Sequence, residues 1–346
     1  MKENALRFRK QLVNAPYIHP DGRKVEGRIE VRTSPVTGRT SRIAFNRAKE
    51  KEAGTDRLPD PPPDAAHTAA CPFCPPQLYT RTPRLVPSHF PRDRMVEGES
   101  VLFPNLYPYG RYSAVSIFDR RHFVEIGTAS LKSYTNCFIN CARYLKILHQ
   151  KEGQAGYMAI TQNHLPSAGG SLVHPHLQVH ADTVATNYHR FLKHRCTDYH
   201  QGTGRHLFSD YLTHEIEKGG RYIGKTGRWH WMAAFAPEGF YEIWAILPGV
   251  FSLPGLNRDA WQDLAGGVLN TQRYYRSLYR NGYNLGLLGQ EGGKPGLELR
   301  VVIMARSNYA AWVRNDHTGF EVMLGDMTTF TTPEDTARQA KVFWNR

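Results

Sequence analysis

The apolar positions of this chain follow two different spacings, and together they predict a mixed α+β protein. Runs of apolar and β-branched residues with alternating polar neighbours indicate strands. Two longer stretches place apolar residues three and four positions apart, which is typical of amphipathic helices, and they cover residues 130–151 and 258–279. A closing helix is predicted over residues 333–344, because Thr331-Thr332-Pro333-Glu334 is a helix-capping signal.

The order of these elements occurs twice along the chain. The strand-like runs lie at 114–118, 156–163 and 174–181 around the first long helix, and at 229–237, 240–247, 283–289 and 297–305 around the second. Similar order in both halves predicts an α+β, histidine-triad-like fold of two diverged repeats, each with a largely antiparallel sheet and flanking helices. We expect the N-terminal half to span residues 1–200 and the C-terminal half to span residues 201–346.

The N-terminal region predicts a β-hairpin followed by a loop. Pro35-Val36-Thr37-Gly38 is a turn signal between two alternating segments, residues 27–33 and 39–45. Residues 51–66 are rich in proline and charge and contain little to bury, so we expect an exposed loop there.

Composition restricts the class of protein but not its function. At 346 residues, with 40% hydrophobic and 22% charged, the chain can bury a sizeable core. A formal charge of +13 favours polyanionic ligands, which include nucleotides and sugar phosphates. Because the basic residues form no clustered run or recognition signature, no specific nucleic-acid partner is predicted. No apolar run is long enough to cross a bilayer and no secretory signal pattern occurs, so we expect a cytoplasmic protein without a membrane partner.

The cysteines indicate a metal site rather than a disulfide framework. Five cysteines are an odd number, and Cys71 and Cys74 form a C-x-x-C pair with the spacing of a zinc knuckle. Cys137 and Cys141 lie four residues apart on one face of the first long helix, and we expect both, like Cys196, to act as small buried side chains.

The chemistry is concentrated in the run His174-Pro175-His176-Leu177-Gln178. Since alternate side chains of a strand share a face, His174, His176, Gln178 and His180 are expected to project the same way. The preceding loop, Ser167-Ala168-Gly169-Gly170-Ser171, consists of small residues whose backbone amides can cradle phosphate. A phosphate site beside a neutral imidazole suits attack on phosphorus. The alternative is a solvated strand face or a set of hydrogen-bonded core histidines.

The segment from Asn163 to Gln178 resembles the active-site signature of the galactose-1-phosphate uridylyltransferases, a branch of the histidine-triad superfamily. The positions in register are Asn163, Gly169, Ser171, His174, His176 and Gln178. The resemblance covers most of the chain, thinly after Gln178, and includes Arg32, Pro35, Thr37, Gly38, Arg47-Ala48-Lys49, Phe103-Pro104-Asn105, Arg306-Ser307 and Met323-Leu324.

This resemblance implies a ping-pong reaction in which His176 attacks an α-phosphorus and a second phosphate then cleaves the nucleotidyl-histidine. It implies that Gln178 holds an α-phosphate oxygen and that the carbonyl of His174 fixes the tautomer of His176. The substrate contacts that it implies are Arg47 and Ser171 on the phosphate leaving group, Asn105 on the ribose, and further contacts by Asn163, Gly169, Gly170 and Glu321.

The resemblance also completes the metal site. It implies that His122 and His174 join Cys71 and Cys74 in a Cys2His2 set, which is closed and would hold one structural Zn²⁺ per chain. Some members of the family hold a second metal. Leu192 and the run Leu297-Glu298-Leu299 stand at the positions of its ligands here, so we expect no second metal.

The substrate is less well defined, because two positions depart from the family pattern. The segment Gly319–Leu324 keeps Glu321 one residue out of register with the usual hexose-recognition sequence, and Glu50 replaces a second phosphate-binding arginine. We expect a homodimeric enzyme of carbohydrate metabolism that transfers a nucleoside monophosphate, UMP in the family, between a nucleotide sugar and a sugar 1-phosphate.

Three alternatives remain at this point. One is a phosphorylase of a nucleotide sugar, such as an ADP-sugar, or of a dinucleotide, with inorganic phosphate as the acceptor. The others are a hydrolase and a zinc-containing nucleic-acid binding module. Glutamine at position 178 favours transfer over hydrolysis, because an amide cannot take part in proton transfer. His180 is left without a role.

Overall fold

The structure is a computed structural model that describes residues 6–45, 57–293, 295–308, 317 and 319–344. Its strands are β1 (Arg9–Ile18), β2 (Lys24–Thr33), β3 (Thr40–Ala44), β4 (Met95–Glu97), β5 (Ser100–Pro104), β6 (Tyr112–Ile117), β7 (Tyr157–His164), β8 (His176–Asp182), β9 (Tyr222–Thr226), β10 (Trp229–Ala233), β11 (Phe240–Leu247), β12 (Tyr283–Gln290), β13 (Leu299–Ala305) and β14 (Met327–Thr329). Its α-helices are α1 (Gln77–Thr80), α2 (Leu131–Lys151), α3 (Asn187–Thr203), α4 (Leu207–Lys218), α5 (Arg258–Ser277), α6 (Gly319–Leu324) and α7 (Pro333–Ala340).

The predicted duplication is present in one ten-stranded antiparallel sheet. Its strand order is β4-β5-β6-β8-β7-β12-β13-β11-β10-β9, so each half contributes three strands, a helix and two more strands in the same sequence. The halves join where β7 pairs with β12, with Asn163 opposite Asn284. The α+β class and the repeats are therefore confirmed, and the two expected sheets form one continuous sheet. The division at residue 200 falls inside α3 and stays a prediction.

The long helices α2 and α5 pack side by side against one face of this sheet. Each begins one residue after a side-chain cap: Ser130 accepts from the amide of Ser133, and Asn257 from that of Ala260. The main core lies between these helices and alternate residues of the central strands, such as Leu177, Val179 and Leu287. Both helices lie within two residues of their predicted bounds.

The opposite face of the sheet has two separate covers. Over the second repeat, α3 and α4 bury a cluster that includes Leu192, Phe208 and Trp244. Over the outer strands of the first repeat, the segment Cys71–Leu78 buries Phe103, Val115 and Ile117. Between the covers, alternate side chains on three strands stay partly exposed, and we call them the central strip: Ala159, Thr161, Asn163, Gln178, His180, Asn284, Gly286 and Leu288.

A second sheet, β1-β2-β3-β14, carries the predicted N-terminal hairpin. In its turn, Gly38 has a φ of 72° and donates its amide to the carbonyl of Ser34. The parallel pairing of β14 with β3 and the closing helix α7 connect this sheet to the body. Helix α7 begins after its Thr332 cap but ends at Ala340, before a 3-10 turn.

The predicted proline-rich loop at residues 51–66 lies partly within the described residues. The described part of the predicted loop, residues 57–66, is mostly exposed, with one 3-10 turn at Pro63–Ala66. Residues 51–56 lie outside the described residues.

Among the helices of the described residues, none is both long and apolar enough to cross a membrane.

Candidate active site and metal site

Four predicted ligands converge at the end of β8 that carries His176. The ligand atoms of Cys71, Cys74, His122 and His174 all lie within 4.8 Å of one another, and all four residues are buried. Cys74 Sγ lies 3.3 Å from His122 Nδ1 and 3.4 Å from His174 Nδ1, and Cys71 Sγ lies 3.9 Å from His174 Nδ1. Two sulfurs and two nitrogens at these separations could hold one metal ion.

The tautomers of the two histidines fit this cluster. His122 Nε2 lies 2.8 Å from the carbonyl oxygen of Asp64, and His174 Nε2 lies 3.1 Å from that of Asp119. Since a carbonyl only accepts, each Nε2 carries the proton and each Nδ1 directs a lone pair toward the thiols. Burial and the neighbouring Cys71 raise the pKa of Cys74 to about 11, so a cation is needed to hold the Cys74 sulfur as a thiolate at neutral pH.

His176 lies directly beside this cluster. Its Nδ1 is 2.8 Å from the carbonyl oxygen of His174, which must accept, so Nδ1 carries the proton and Nε2 has the free lone pair. Burial lowers the pKa of His176 and the carbonyl of His174 opposes this effect. The edge-on ring of Phe73 contacts His176 at 5.3 Å and His174 at 6.0 Å between centroids. The knuckle, His174 and His176 therefore pack as one unit.

Strand register decides which side chains share the face of His176. Gln178 pairs with Val115 and Thr161, and His180 pairs with Ser113 and Ala159. His176, Gln178 and His180 project the same way, as predicted, because they alternate along β8. His174 precedes the strand, and its ring joins the cysteines, so the predicted four-residue face has three members within β8.

The loop before His174 uses its backbone amides differently from the prediction. The amides of Ala168 and Gly170 donate to the carbonyl of Leu165, and the amide of Gly169 donates to that of Pro166. A Cβ at Gly170 would lie 2.8 Å from the carbonyl oxygen of Asn163, so only glycine fits there. These bonds fix the loop, and the exposed Ser171 is its remaining predicted phosphate contact.

Asn163 is held by a residue that the sequence did not indicate. Asn284 donates from Nδ2 to Asn163 Oδ1 at 2.7 Å and to the carbonyl of Ala168 at 2.9 Å. Arg306 donates from Nη1 to Asn284 Oδ1 at 2.7 Å. The second repeat therefore orients the loop that precedes His174 in the first. The available signal was a polar residue at the start of the otherwise apolar run 283–289.

The remaining predicted residues are dispersed. Asn105 follows β5, and its amide donates to the carbonyl of Ser113, which places it beside the central strip. Glu321 accepts from Thr328 and lines a cavity of about 260 Å³ with Arg39 and Glu238. Arg47 and Glu50 lie outside the described residues.

The other cysteines and the positions of the second metal are buried. Cys137, Cys141 and Cys196 are buried, as predicted, and Cys137 donates to the carbonyl of Ser116. Leu192 on α3 and Leu297 both belong to the apolar cluster that α3 and α4 bury against the sheet.

Comparisons with known proteins agree with this architecture. The chain is 28% identical over 344 residues to a protein of Archaeoglobus fulgidus described as uncharacterized, covering 98% of this chain and 99% of the relative. No protein-family model matches. An ADP-glucose phosphorylase from Arabidopsis thaliana with bound ADP-glucose superposes with a TM-score of 0.68 at 21% identity, covering 90% of this chain and 98% of that one.

Two further structures superpose similarly. A GalT-like protein from Arabidopsis thaliana gives a TM-score of 0.66 at 21% identity, covering 90% of this chain and 98% of that chain. A uridylyltransferase gives 0.65 at 20% identity, covering 91% and 98%. Identities this low establish the fold alone. The resemblance found in the sequence is thus confirmed at the level of the fold, which this chain shares with the GalT-like protein, the ADP-glucose phosphorylase and the uridylyltransferase.

Proposed function

We propose that this protein is a nucleotidyltransferase that holds a nucleoside monophosphate covalently on His176. The observation that carries this proposal is the tautomer of His176, whose Nδ1 is committed to the carbonyl of His174 while Nε2 keeps its lone pair. A neutral, oriented imidazole on a partly open sheet face is the nucleophile that the reaction needs. The fold is shared with an ADP-glucose phosphorylase and a uridylyltransferase, which supports the substrate class.

In the first step, Nε2 of His176 attacks the α-phosphorus of a nucleotide sugar. The N–P bond forms as the bond from the α-phosphorus to the bridging oxygen breaks, and the sugar 1-phosphate leaves with that electron pair. In the second step, a phosphate oxygen of the acceptor attacks the same phosphorus and the N–P bond breaks. The imidazole becomes cationic in the adduct, and the carbonyl of His174 stabilises its Nδ1–H.

Gln178, Asn163 and Ser171 are proposed to hold the phosphates. Gln178 is the next residue after His176 on the same strand face, so its amide can donate to an α-phosphate oxygen without titrating. Asn163 is oriented by Asn284 at the start of the loop, and Ser171 is exposed at its end. Arg47 and the ribose contact of Asn105 complete the proposed set.

We propose that the metal is one Zn²⁺ held by Cys71, Cys74, His122 and His174. The two thiols and the two Nδ1 lone pairs form a closed donor set without a place for a substrate, so the ion's contribution is structural. His174 links the site to catalysis, because its Nδ1 faces the cysteines and its carbonyl orients His176.

The leading acceptor is a sugar 1-phosphate, with UMP as the transferred group. Inorganic phosphate is the second candidate, supported by the ADP-glucose phosphorylase that has this fold. Glu321, the sugar contact in the resemblance, accepts here from the amide and the hydroxyl of Thr328.

We also propose a homodimer. The exposed apolar side chains of Val322, Met323 and Leu324 on α6 would be covered by a second copy. Light scattering at several protein concentrations tests this, with a mass of one chain at all concentrations as the contrary result.

Isotope exchange tests the proposed reaction. The purified protein is incubated with a nucleotide sugar and labelled sugar 1-phosphate, without any other acceptor. A ping-pong transferase incorporates the label into the nucleotide sugar, because the first half-reaction is reversible. A parallel incubation with inorganic phosphate distinguishes the phosphorylase, which releases a nucleoside diphosphate. Absence of both exchange and phosphorolysis across UDP-, ADP-, GDP- and CDP-sugars would reject the proposed function.

A further inference from the structure

A row of polar residues crosses the sheet at the far end of β8 from His176. His180 is directly opposite Ser113 on β6, and the amide of Asn105, just beyond β5, donates to the carbonyl of Ser113 at 2.9 Å. On the other side of His180 lies the small side chain of Ala159. These residues share the face of His176 and Gln178, because β6 and β8 are in register along it.

Two members of this row have unused hydrogen-bonding capacity. Ser113 Oγ is buried without a partner among the described residues, and the residue is only 6% exposed. His180 makes no hydrogen bond within the described part of the chain, and burial lowers its pKa, so the ring is neutral with one donor and one acceptor. An unsatisfied buried hydroxyl costs free energy, which an external partner would recover. Cross-strand neighbours lie close enough to bind one group together.

The distance from His176 suggests what that partner is. His180 lies four residues beyond His176, about 13 Å along an extended strand, with Gln178 midway. A nucleotide with its α-phosphorus at His176 and its chain directed along β8 brings its ribose and base to this row. Level with Gln178, the space above Gly286 is open, since a Cβ built on Gly286 meets nothing within 4 Å.

Exposed aromatic rings stand at the same end of the sheet. In the loop that follows Asn105, Tyr107 is 75% and Tyr109 is 94% exposed, and the loop is fixed by the bond from the amide of Tyr107 to Asn105 Oδ1. Exposed rings of this type stack on nucleobases.

We propose that His180 and Ser113 read the hydrogen-bonding edge of the nucleobase, and that they determine which nucleotide this protein accepts. The inference rests on the proposed function only in placing the phosphate at His176. It assigns a role to His180, the histidine that the reaction itself does not use.

Equilibrium binding of product-like probes tests this without turnover. Calorimetry measures the affinity of the parent and of His180→Ala for AMP, UMP, GMP, CMP and ribose 5-phosphate, which has no base. The parent is expected to prefer one nucleotide over the other three and over ribose 5-phosphate. His180→Ala should bind that nucleotide roughly fivefold or more weakly and bind ribose 5-phosphate with unchanged affinity, because one base contact is lost.

Three further variants separate recognition from folding. Ser113→Ala should reduce the same preference, and His180→Gln, which keeps a donor and an acceptor, should restore part of it. His194→Ala removes an exposed histidine of α3 and should bind like the parent. Thermal unfolding of each variant identifies any general loss of structure.

The inference is overturned if folded His180→Ala binds ribose 5-phosphate and the nucleotide more weakly by the same factor, or if its nucleotide preference is unchanged. It is also overturned if the parent binds the four nucleotides equally or binds none of them. Failure of the proposed transfer reaction would be seen separately, as absence of exchange in a protein that still selects a nucleotide. Conversely, transfer with unchanged selectivity in His180→Ala would reject only the base contact.

Discussion

At the scale of single residues, the site depends on two histidines with different tasks. His174 directs its Nδ1 toward the cysteines and its carbonyl toward His176, whereas His176 contacts neither sulfur in the described structure. The sequence indicated both roles through the resemblance, because the positions in register lie within one short segment, from Asn163 to Gln178. Asn284 could not be found in this way, since it reaches Asn163 through a pairing between strands that lie 121 residues apart.

Replacing each histidine separately should distinguish these tasks. In His174→Ala we expect loss of bound zinc and of nucleotidyl transfer together, because one residue serves both. In His176→Ala we expect one zinc per chain to remain while transfer stops. Metal analysis and the exchange assay on both purified variants measure this. Full zinc retention in His174→Ala, or two zinc ions per chain in the parent, would contradict the assignment.

Gln178 should affect the rate more than folding. Gln178 is partly exposed, and in the sheet it lies opposite Val115 and Thr161, so Gln178→Ala removes few packing contacts. If the amide stabilises charge on an α-phosphate oxygen, the transfer rate should fall by about a hundredfold or more. Gln178→Glu should be slower still, since a carboxylate repels the phosphate. Single-turnover kinetics give both rates, and a Gln178→Glu rate close to the parent's would exclude the proposed contact.

At the scale of elements, local signals and long-range pairing differ in how well they were predicted. Helices α2 and α5 were predicted closely because their apolar period and their side-chain caps are local. Helices α3 and α4 were not predicted, and α3 has buried residues at only three of its positions, His189, Leu192 and Cys196. Strand β1 also escaped prediction, since nearly all of its side chains are exposed.

The loop between Asn163 and His174 should depend on the second repeat through Asn284. Asn284→Ala removes the bonds to Asn163 Oδ1 and to the carbonyl of Ala168. We expect a lower kcat with a smaller change in KM, because the loop then samples conformations in which Asn163 is misplaced. Asn270→Ala, on the helical side of the same repeat, is the matched control. Equal kcat for Asn284→Ala and the parent would show that the loop does not need this support.

At the scale of the whole molecule, an ion-pair network connects the N-terminal sheet, the second repeat and the closing helix. Glu334 on α7 accepts two bonds from the buried Arg32 of β2, at 3.1 and 2.7 Å, and one from Arg221 at 2.9 Å. Burial alone would raise the pKa of Glu334, but the two arginines reverse this and lower it to about 2. No local pattern in the sequence indicates this network, because its members lie up to 302 residues apart.

This network should make stability depend on pH in a defined direction. A carboxyl whose pKa is lowered in the folded state stabilises the protein above its unfolded pKa near 4.5, and the contribution is lost as pH falls toward about 2. Glu334→Gln should therefore cost about 1–2 kcal/mol at pH 7, allowing for solvent screening of this partly exposed group, and little at pH 2. Urea unfolding at both pH values measures this, with Glu217→Gln as the exposed control. A cost that is equal at both pH values would contradict the account.

The central claim is a nucleoside monophosphate bound covalently to His176, and intact-protein mass spectrometry tests it most directly. The parent and His176→Ala are each mixed with UDP-, ADP-, GDP- and CDP-sugars, and His194→Ala serves as the control. The account predicts that one donor adds the mass of one nucleoside monophosphate to the parent and to His194→Ala, and adds nothing to folded, zinc-containing His176→Ala. An adduct of undiminished yield on His176→Ala would contradict it, as would a parent that gains no mass with any of the four donors.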